Sequence, residues 1–365
     1  MSLVNSWTEW ETLEEVVVGR ADNSCFPPIE PNFMEPTIHH NDIEDWLPWP
    51  IGRKKKEVID GANQQLDMLV EIMEGEGIAV RRPASVDHCV ETKTPSWSVQ
   101  SQYGTGCPRD VMITLGDIIF EANMAKRSRF FEYLPYRNVI RDLWTRDKKM
   151  LWKAMPKASF DDDCFDIDYW TREKKVGDRR FTLTEKEPIM EAADIIRCGK
   201  DIFIQKSFVT NDAAIEWLSR ELGDKFRVHK MCFPQSLQPA HIDTTFIPLR
   251  PGLCLINPDR LPDKESAKIW LDNEWKFIEA PQPVFEVPPP FCQCSKWLSM
   301  NLLSISPTKV IVEENEKPLR HLLEENGFDV IDIPFRKVYE FGGALHCTTW
   351  DIRRNDSCKD YFPHQ

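Results

Sequence analysis

Long apolar runs are missing from this sequence. No stretch of its 365 residues approaches the roughly 18 consecutive apolar residues that a membrane-spanning helix requires. The first residues, MSLVNSWTEWETLEE, contain neither a hydrophobic signal core nor an arginine-rich amphipathic face. We therefore expect a cytoplasmic protein without a membrane partner.

Positive charge is scarce as well. Lys and Arg number 46 against 59 Asp and Glu, which gives a formal net charge of −13. The short basic run RKKK at 53–56 is isolated and is followed by acidic residues. This charge argues against a nucleic-acid partner, because it offers no electrostatic footprint for phosphates. A cationic small molecule suits the chain better than a polyanion does.

A complete metal-binding pattern is also absent. The eleven cysteines are odd in number and scattered, which predicts reduced thiols and no disulfide framework. Cys292 and Cys294 form a C-x-C pair, but the sequence has no second pair and no H-x₃₋₅-H to complete a zinc site. We expect no structural metal.

What the sequence does contain is a repeated order of elements. In the clearest copy, at 194–233, DIIRCGKDIFIQKS predicts a hairpin that turns at Gly199 and Lys200, NDAAIEWLSRELG predicts a helix capped by Asn211, and FRVHKMCF predicts a third strand. Three more copies begin at DVMITLGDIIFEANM, TTFIPLRPGLCLINP and MNLLSISPTKVIVEE, and the first of these has its helix near SRFFEYLPYRNVIRDLW.

The N-terminal part supplies half of a fifth copy. EEVVVGR predicts a lone strand, KKEVIDGANQQLDMLVEIMEGEG a long amphipathic helix and GIAVRRP the closing strand, while ALHCTTWDIRR near the other end supplies the missing hairpin partner. A split unit favours a closed ring, so we predict an α/β fold of five ββαβ units, a five-bladed αβ propeller with its active site at the centre. An open α/β sheet is the alternative.

The repeat predicts one domain over 1–365, with surface insertions near 22–55 and 155–190. Both insertions are rich in acidic residues, and they could cover an active-site mouth.

Titratable residues recur at one edge of the predicted hairpins. Glu191, Asp194 and Asp201 bracket one strand, His241 and Asp243 alternate in PAHIDTTF, and Cys347 follows His346 in ALHCTTWD. If both latter pairs lie on strands, His241 and Asp243 face the same side, whereas His346 points away from Cys347. Each residue also has a structural alternative: a small buried thiol, a hydrogen-bonded core histidine, or a carboxylate that caps a turn.

A ring would bring these groups together around its axis. A thiolate could then attack the central carbon of a guanidinium, carboxylates could hold the guanidinium through paired hydrogen bonds, and an imidazole could pass a proton to the departing amine.

Several long blocks of the sequence resemble the L-arginine amidinotransferases. They are VNSWTEWETLEEVVVGRAD, PRDVMITLGDIIFEANMAKRSRFFEYLPYR, EAADIIRCGKDIFIQKS, HIDTTF, NPDR, CSKWLSMN and GGALHCTTWDIRR, which together span nearly the whole chain. The resemblance implies a five-bladed pentein propeller that uses no cofactor. It also implies ping-pong transfer of an amidino group from L-arginine, through an amidino-cysteine, to an amine acceptor, with L-ornithine released.

The resemblance assigns roles to individual residues. It implies that Cys347 is the nucleophile, that His241 is the general acid and base, and that Asp194 supports this histidine. Asp110 and Asp243 would bind the guanidinium. The α-carboxylate of arginine would be met by Arg260 and by Ser295, although Cys294 stands where the family usually has a second serine.

One departure concerns the acceptor. Members that use glycine have Asn-Pro-Met before the histidine, whereas this chain has Gln238, Pro239 and Ala240. Replacing methionine by alanine enlarges the neighbouring space unless another side chain fills it. We therefore place Gln238 and Ala240 in the substrate site and expect an acceptor bulkier than glycine, as in members that make aminocyclitol antibiotics or saxitoxin-type toxins.

Three alternatives remain at this point. The first is transfer to glycine, which would make guanidinoacetate. The second is hydrolysis of a guanidine, as in a deiminase or a dimethylarginine hydrolase. The third is an inactive arginine-binding protein. The sequence leaves a homodimer open.

Overall fold

The computed structural model of the chain describes residues 2–32, 50–169, 172, 180–235, 240–284 and 294–364. Gln238, one of the predicted substrate-binding residues, lies outside these residues.

Strands and α-helices alternate along these described residues. The strands are β1 (Leu13–Val18), β2 (Cys25–Phe26), β3 (Gly52–Arg53), β4 (Ala79–Arg81), β5 (Thr92–Lys93), β6 (Ser98–Val99), β7 (Met112–Leu115), β8 (Ile118–Glu121), β9 (Leu151–Ala154), β10 (Ile195–Cys198), β11 (Asp201–Gln205), β12 (Arg227–Met231), β13 (Phe246–Arg250), β14 (Leu253–Ile256), β15 (Lys276–Glu279), β16 (Leu303–Ser306), β17 (Lys309–Glu313), β18 (Asp329–Ile333) and β19 (Thr349–Arg354). The helices are α1 (Lys56–Gly75), α2 (Pro108–Val111), α3 (Arg137–Arg146), α4 (Asp212–Leu222), α5 (Lys264–Asp272) and α6 (Lys317–Glu325).

Five three-stranded sheets follow one plan. In four of them a hairpin supplies two antiparallel strands, and the strand after the next long helix pairs in parallel with the second: β7–β8–β9, β10–β11–β12, β13–β14–β15 and β16–β17–β18. In the fifth sheet, β1 lies between antiparallel β19 and parallel β4. The repeated unit and its split first copy, as predicted from the sequence, are confirmed.

The unit at 194–233 shows how the sequence directs the local structure. β10 and β11 turn at Gly199, whose φ of +71° lies in the left-handed region. A Cβ at this position would also lie 2.2 Å from the carbonyl oxygen of Lys359, so only glycine fits. Asn211 caps α4 as predicted, because its side chain accepts a hydrogen bond from the backbone N–H of Ala214 at 2.9 Å.

The helix near 128–144 is shorter than predicted. α3 begins only at Arg137, and two 3₁₀ turns, Arg127–Arg129 and Leu134–Tyr136, precede it. Pro135 lies in the second turn, and its ring and missing N–H disfavour a continuous α-helix through that position. The sequence pattern therefore predicted the existence of this helix better than its start.

Each long helix packs one apolar face on a sheet. α1 buries Ile59, Leu66, Leu69 and Met73, which share one side of the helix. Burying a leucine or methionine side chain stabilises the fold by about 1.5–3 kcal/mol, so these faces hold the helices on the sheets. No helix of the described residues has the length and apolar composition needed to cross a bilayer.

Charged side chains of β10, β19, α2 and the N-terminal segment form a buried group. Asp351 accepts hydrogen bonds from Arg109 Nη2 at 2.7 Å, Arg197 Nη2 at 2.6 Å and Arg354 Nε at 2.8 Å. Arg197 also binds Glu9 with two nitrogens, at 2.8 and 2.5 Å. We call these five residues the Asp351 ion cluster, and it connects the N-terminal segment to α2 and to two of the five sheets, through β10 and β19.

The predicted insertions are described in part. In 22–55, β2 and β3 form a two-residue antiparallel ladder, and 33–49 lie outside the described residues. In 155–190, Phe160, Cys164 and Phe165 are buried in an apolar cluster with Trp97. The described part of this insertion thus contributes to a packed core. Its predicted role over the site stays a prediction.

Candidate active site

Short helical turns precede the hairpins and carry the predicted site residues. α2 leads into β7, and 3₁₀ turns at Ala192–Asp194, Ile242–Thr244 and Lys296–Met300 stand before β10, β13 and β16. Each of these turns contacts the next one along the chain. The turns contain Asp110, Asp194 and Asp243, and His241 and Ser295 cap two of them.

The predicted strand conformation of two motifs is wrong. His241 precedes a 3₁₀ turn that contains Asp243, and His346 and Cys347 lie in a turn that ends where β19 begins at Thr349. Because neither segment is extended, the alternation of side chains used above does not apply. His346 does not point away from the site: its Nδ1 lies 2.8 Å from Asp243 Oδ2, the atom that Cys347 also contacts.

Cys347 is held from two sides. Its Sγ donates to Asp243 Oδ2 at 3.3 Å, and its backbone N–H donates to Asn301 Oδ1 at 3.0 Å. Burial, followed by the negative charges of Asp243 and Asp110, raises the pKa of the Cys347 thiol well above its ordinary value. The chain alone therefore keeps the sulfur protonated, and a cation beside the two carboxylates would favour the thiolate.

His241 carries a positive charge in this setting. Its Nε2 lies 2.9 Å from Glu191 Oε2, and its Nδ1 lies 3.8 Å from Asp110 Oδ1. Burial acts to lower the pKa of His241, but the charge of Asp110, the hydrogen bond to Glu191 and the charge of Asp194 outweigh it and raise the pKa to about 10. At neutral pH this imidazolium can donate a proton.

Asp194 makes no hydrogen bond to the His241 ring among those of the described residues, and its predicted supporting role stays a prediction. Its two carboxylate oxygens accept hydrogen bonds from Gln205 Nε2 and Ser207 Oγ, both at 2.6 Å. The same Gln205 nitrogen donates to the carbonyl oxygen of Ala240 at 2.8 Å. Asp194 thus fixes the residue before His241, and the ring's carboxylate partner is Glu191.

Arg129 supplies a positive charge between the carboxylates of Asp110, Glu191 and Glu132. Its Nη1 donates to Asp110 Oδ2 at 2.9 Å and to Glu191 Oε2 at 3.3 Å, and its Nη2 donates to Glu132 Oε1 at 2.7 Å. All four side chains are almost fully buried. Burial opposes ionisation of Glu191, but Arg129 and then His241 lower its pKa to about 2. This carboxylate is therefore ionised at neutral pH.

Asp110, Glu191 and His241 also form a candidate metal triad, since each offers a ligand atom within 4.8 Å of the others. Arg129 already donates to both carboxylates, and the imidazole is a cation. A divalent ion would have to enter beside two positive charges. This donor set therefore does not suit a metal ion.

Three carboxylate oxygens at the site accept no hydrogen bond from the described residues: Asp110 Oδ1, Glu191 Oε1 and Asp243 Oδ1. Each is buried, and leaving a buried acceptor unpaired costs about 1–3 kcal/mol. Native proteins rarely tolerate several such atoms together unless a ligand uses them. A planar cation with several N–H donors has the matching chemistry.

Arg260 and Ser295 lie near the site and are engaged within the protein. Arg260 donates from Nε to the carbonyl oxygen of Pro234 at 3.0 Å and from Nη1 to Thr245 Oγ1 at 2.9 Å. Ser295 caps its 3₁₀ turn by accepting from the backbone N–H of Trp297 at 3.0 Å, which leaves its hydroxyl proton available to a ligand. Their predicted contact with a substrate carboxylate stays a prediction.

Sequence reasoning missed several groups of the site. Glu191 was noted only as a residue near a strand, and Arg129 and Asn301 were not considered. Arg129 lies in RSRFFE, where an arginine followed three positions later by Glu132 reads as an ordinary surface pair on a helix. Asp201, the third carboxylate of that group, is not in the site, because it pairs with Arg227 and His229 at 2.8 and 2.7 Å.

Gly343 leaves the space in which Cys347 sits. A Cβ there would lie 2.6 Å from Cys347 Cβ and 2.7 Å from Cys107 Sγ. We therefore expect Gly343→Ala to push Cys347 out of place and to lower turnover at least tenfold, because reacting groups tolerate little displacement. Steady-state kinetics would measure this. Gly75→Ala, where a Cβ meets nothing within 4 Å, is the control, and equal rates for both variants would contradict the prediction.

Comparison with solved structures identifies the fold. The N-terminal domain of ArgZ, an arginine dihydrolase of cyanobacteria, matches with a TM-score of 0.60 over 94% of this chain and 98% of that domain, at 14% sequence identity. The repeated sheets thus define an α/β protein of the pentein fold. No protein-family model matches the chain.

Closer relatives identify the family. The chain is 37% identical to the L-arginine:L-lysine amidinotransferase of Pseudomonas savastanoi pv. phaseolicola, over 99% of this chain and 97% of the relative, and 37% identical to the mitochondrial glycine amidinotransferase of Gallus gallus, over 98% and 85%. The amidinotransferase SxtG of the saxitoxin pathway of Microseira wollei superposes with a TM-score of 0.91 at 36% identity, covering 99% of this chain and 100% of SxtG. The chain belongs to the amidinotransferase family.

Proposed function

We propose that this enzyme transfers the amidino group of L-arginine to an amine acceptor through an amidino-cysteine on Cys347. The observation that carries the proposal is the set of three unpaired carboxylate oxygens beside a buried thiol and an imidazolium. A guanidinium carries N–H donors in a planar fork that matches such acceptors. Family membership supports the same reaction.

The first half-reaction follows from the charges of the site. When the guanidinium of arginine binds Asp110 and Asp243, its positive charge offsets the two carboxylates that raise the pKa of Cys347, so the thiol loses its proton to solvent. The thiolate forms a bond to the guanidinium carbon. The bond from this carbon to the side-chain nitrogen of arginine then breaks, and His241 gives that nitrogen its proton. Ornithine leaves, and a cationic amidino-thioether remains.

The second half-reaction reverses these steps with another amine. His241 is now neutral and accepts a proton from the acceptor as its nitrogen attacks the amidino carbon. The carbon–sulfur bond breaks, which restores the Cys347 thiolate and the imidazolium. Charge and protons balance in both halves, and no cofactor or metal is required.

Glu191→Gln tests the role of the imidazolium. Removing this negative charge lowers the pKa of His241 from about 10, so less of the acid form is present at alkaline pH. We expect the alkaline limb of the kcat/KM profile for arginine to move to lower pH by at least about one unit. Glu216→Gln, at an exposed ion pair with Arg220, should leave the profile unchanged. A profile unaltered by Glu191→Gln would contradict the assignment.

We further propose that the acceptor is larger than glycine. Ala240 stands directly before His241, and Gln205 fixes its carbonyl oxygen, so a small side chain at this point leaves room beside the reacting groups. Lysine is the acceptor in the name of one relative, and the saxitoxin pathway includes another. Glycine remains the alternative, since it is named in an equally similar relative.

The architecture proposed around this site is a single-domain, five-bladed propeller. The first and last parts of the chain share one sheet through β1 and β19, and the short turns that carry the site contact one another. Both observations support closure of the five sheets into a ring.

One assay separates these hypotheses. The enzyme is incubated with guanidino-labelled arginine and a panel of amines that runs from glycine to lysine and longer diamines, and the products are identified by mass. Ornithine with a labelled acceptor is the expected result, with glycine among the poorest acceptors. Citrulline as the product would contradict amidino transfer and indicate hydrolysis. Glycine as the best acceptor would overturn the inference from Ala240.

A further inference from the structure

We propose that His346 is a positioning residue that fixes the orientation of the Asp243 carboxylate, so that one oxygen faces the Cys347 sulfur and the other faces the substrate. This inference rests on the proposed function. The His346 imidazole bridges two carboxylates: Nδ1 lies 2.8 Å from Asp243 Oδ2, and Nε2 lies 3.3 Å from Glu9 Oε2. The ring is mostly buried between them, with 14% of its side chain exposed.

The contact with Asp243 defines which ring nitrogen carries a proton. An ionised carboxylate only accepts hydrogen bonds, so His346 Nδ1 donates to Asp243. Burial raises the pKa of Asp243, but the hydrogen bond from His346 and the nearby histidine charges lower it below the ordinary value. An ionised Asp243 is the form that can bind a guanidinium.

Glu9 holds the other end of the ring in place. It accepts two hydrogen bonds from Arg197 and lies 3.8 Å from Arg109, so it is part of the buried Asp351 ion cluster. Its carboxylate cannot rotate without breaking these contacts. The rigid cluster thus positions His346, and His346 positions Asp243.

This arrangement divides the two oxygens of Asp243 between two tasks. Oδ2 accepts from both His346 and the Cys347 thiol, whereas Oδ1 accepts from no described residue. Oδ2 therefore faces the nucleophile, and Oδ1 remains for an N–H donor of the guanidinium. Because the two oxygens of an ionised carboxylate are equivalent, only a partial turn about χ2 matters. Such a turn would direct neither oxygen at its partner and would misplace the substrate relative to the sulfur.

Packing beside the pair is incomplete. A cavity of about 20 Å³ borders Glu9, Asp243 and His346 and is otherwise lined mainly by apolar side chains, among them Ile196 and Phe246. The hydrogen bond from His346 Nδ1 therefore adds a directional contact that packing on this side does not supply.

Two substitutions separate the contacts of the ring. Asparagine places an amide N–H close to the position of Nδ1, so His346→Asn retains a donor to Asp243. Glutamine reaches the position of Nε2, so His346→Gln retains a donor to Glu9 and loses the one to Asp243. We expect His346→Gln to raise KM for arginine about tenfold, the effect of losing one hydrogen bond to a charged group, with a smaller change in kcat. His346→Asn should stay within about threefold of the wild type.

The measurement is KM and kcat for arginine at saturating lysine, with thermal unfolding of each variant recorded in parallel. KM does not depend on the fraction of folded enzyme, so partial misfolding of a variant leaves the comparison valid. If His346→Gln does not fold, arginine binding to His346→Asn decides the matter: a KM raised tenfold there would overturn the proposal. Equal KM values for both variants would also overturn it.

Failure of the proposed function gives a different result. If wild-type enzyme incubated with arginine shows no amidino adduct on Cys347 by mass, the function proposed above is wrong. If the adduct forms in the wild type and the two His346 variants behave alike, only the positioning role is wrong.

Discussion

Cys347→Ala is expected to abolish release of ornithine from arginine while arginine still binds. If Cys347 is the nucleophile of the proposed covalent intermediate, its removal lowers turnover by at least about four orders of magnitude. Binding should survive because the proposed mechanism holds the guanidinium through Asp110 and Asp243, and the substitution leaves both carboxylates in place. Loss of the sulfur also removes one donor from Asp243 Oδ2, which frees that oxygen for the ligand.

Three measurements check this result: ornithine release, calorimetric titration with arginine, and intact mass after incubation with arginine. Cys107→Ala is a matched control. Its thiol is also buried. A Cβ built on Gly343 would lie 2.7 Å from Cys107 Sγ and 3.4 Å from Cys347 Sγ, so the two sulfurs lie on the same side of the site. This control should keep the covalent adduct and turnover. Turnover above background in Cys347→Ala would contradict the proposed covalent intermediate.

Asp351→Asn is expected to destabilise the fold by about 3–5 kcal/mol, the usual effect of removing one partner from a buried ion pair. The substitution keeps the shape of the side chain and removes the charge that Arg109, Arg197 and Arg354 share. Glu9 would then be the one carboxylate left in the cluster to balance three buried guanidinium groups. The same loss should loosen the chain around Cys347, because the side chain of Arg109 binds Asp351 and the backbone N–H of Arg109 donates to the carbonyl oxygen of Cys347 at 3.2 Å.

Urea unfolding followed by far-UV circular dichroism measures this change. Asp142→Asn is the control, because Asp142 pairs with Arg81 and Arg146 at the surface with 43% of its side chain exposed, and such pairs contribute less than about 1 kcal/mol. Equal destabilisation by both substitutions would contradict the importance assigned to the Asp351 ion cluster.

The pH dependence of this stabilisation has a definite sign. Burial opposes ionisation of Asp351, but Arg109, Arg354 and Arg197 lower its pKa in the folded chain well below the ordinary value. The contribution is therefore complete above the pKa of the unfolded chain, about 3.9, and is lost as the pH falls from there toward the folded-state pKa. At neutral pH it is fully present.

Hairpins and helices were predictable because their signals are local. Alternating apolar residues, a glycine at a tight turn such as Gly199, and a side-chain cap such as Asn211 each act over a few residues. The split first unit could be predicted because a lone N-terminal strand had one obvious partner left, the segment that becomes β19.

The details of the site depend on contacts that sequence spacing does not encode. A 3₁₀ turn of three residues, as at Ile242–Thr244, is too short for a periodic pattern. The alternating polar residues His241 and Asp243 were therefore interpreted as one face of a strand. The partner of His241 could not be inferred either, since Glu191 and Asp194 are carboxylates three positions apart. Only the fold shows that Glu191 reaches the ring and that Asp194 binds Gln205.

The pairing of β1 with β19 has a consequence for synthesis. Val16 lies opposite Asp351, so the two halves of this sheet are separated by most of the chain. At about 5–20 residues per second, a ribosome needs roughly 15–70 s after making β1 before β19 exists. During that time β1 presents an unpaired edge, and a nascent chain that ends before Cys347 has no nucleophile. Premature release would therefore yield an inactive chain with an open strand edge, the kind of species that chaperones bind.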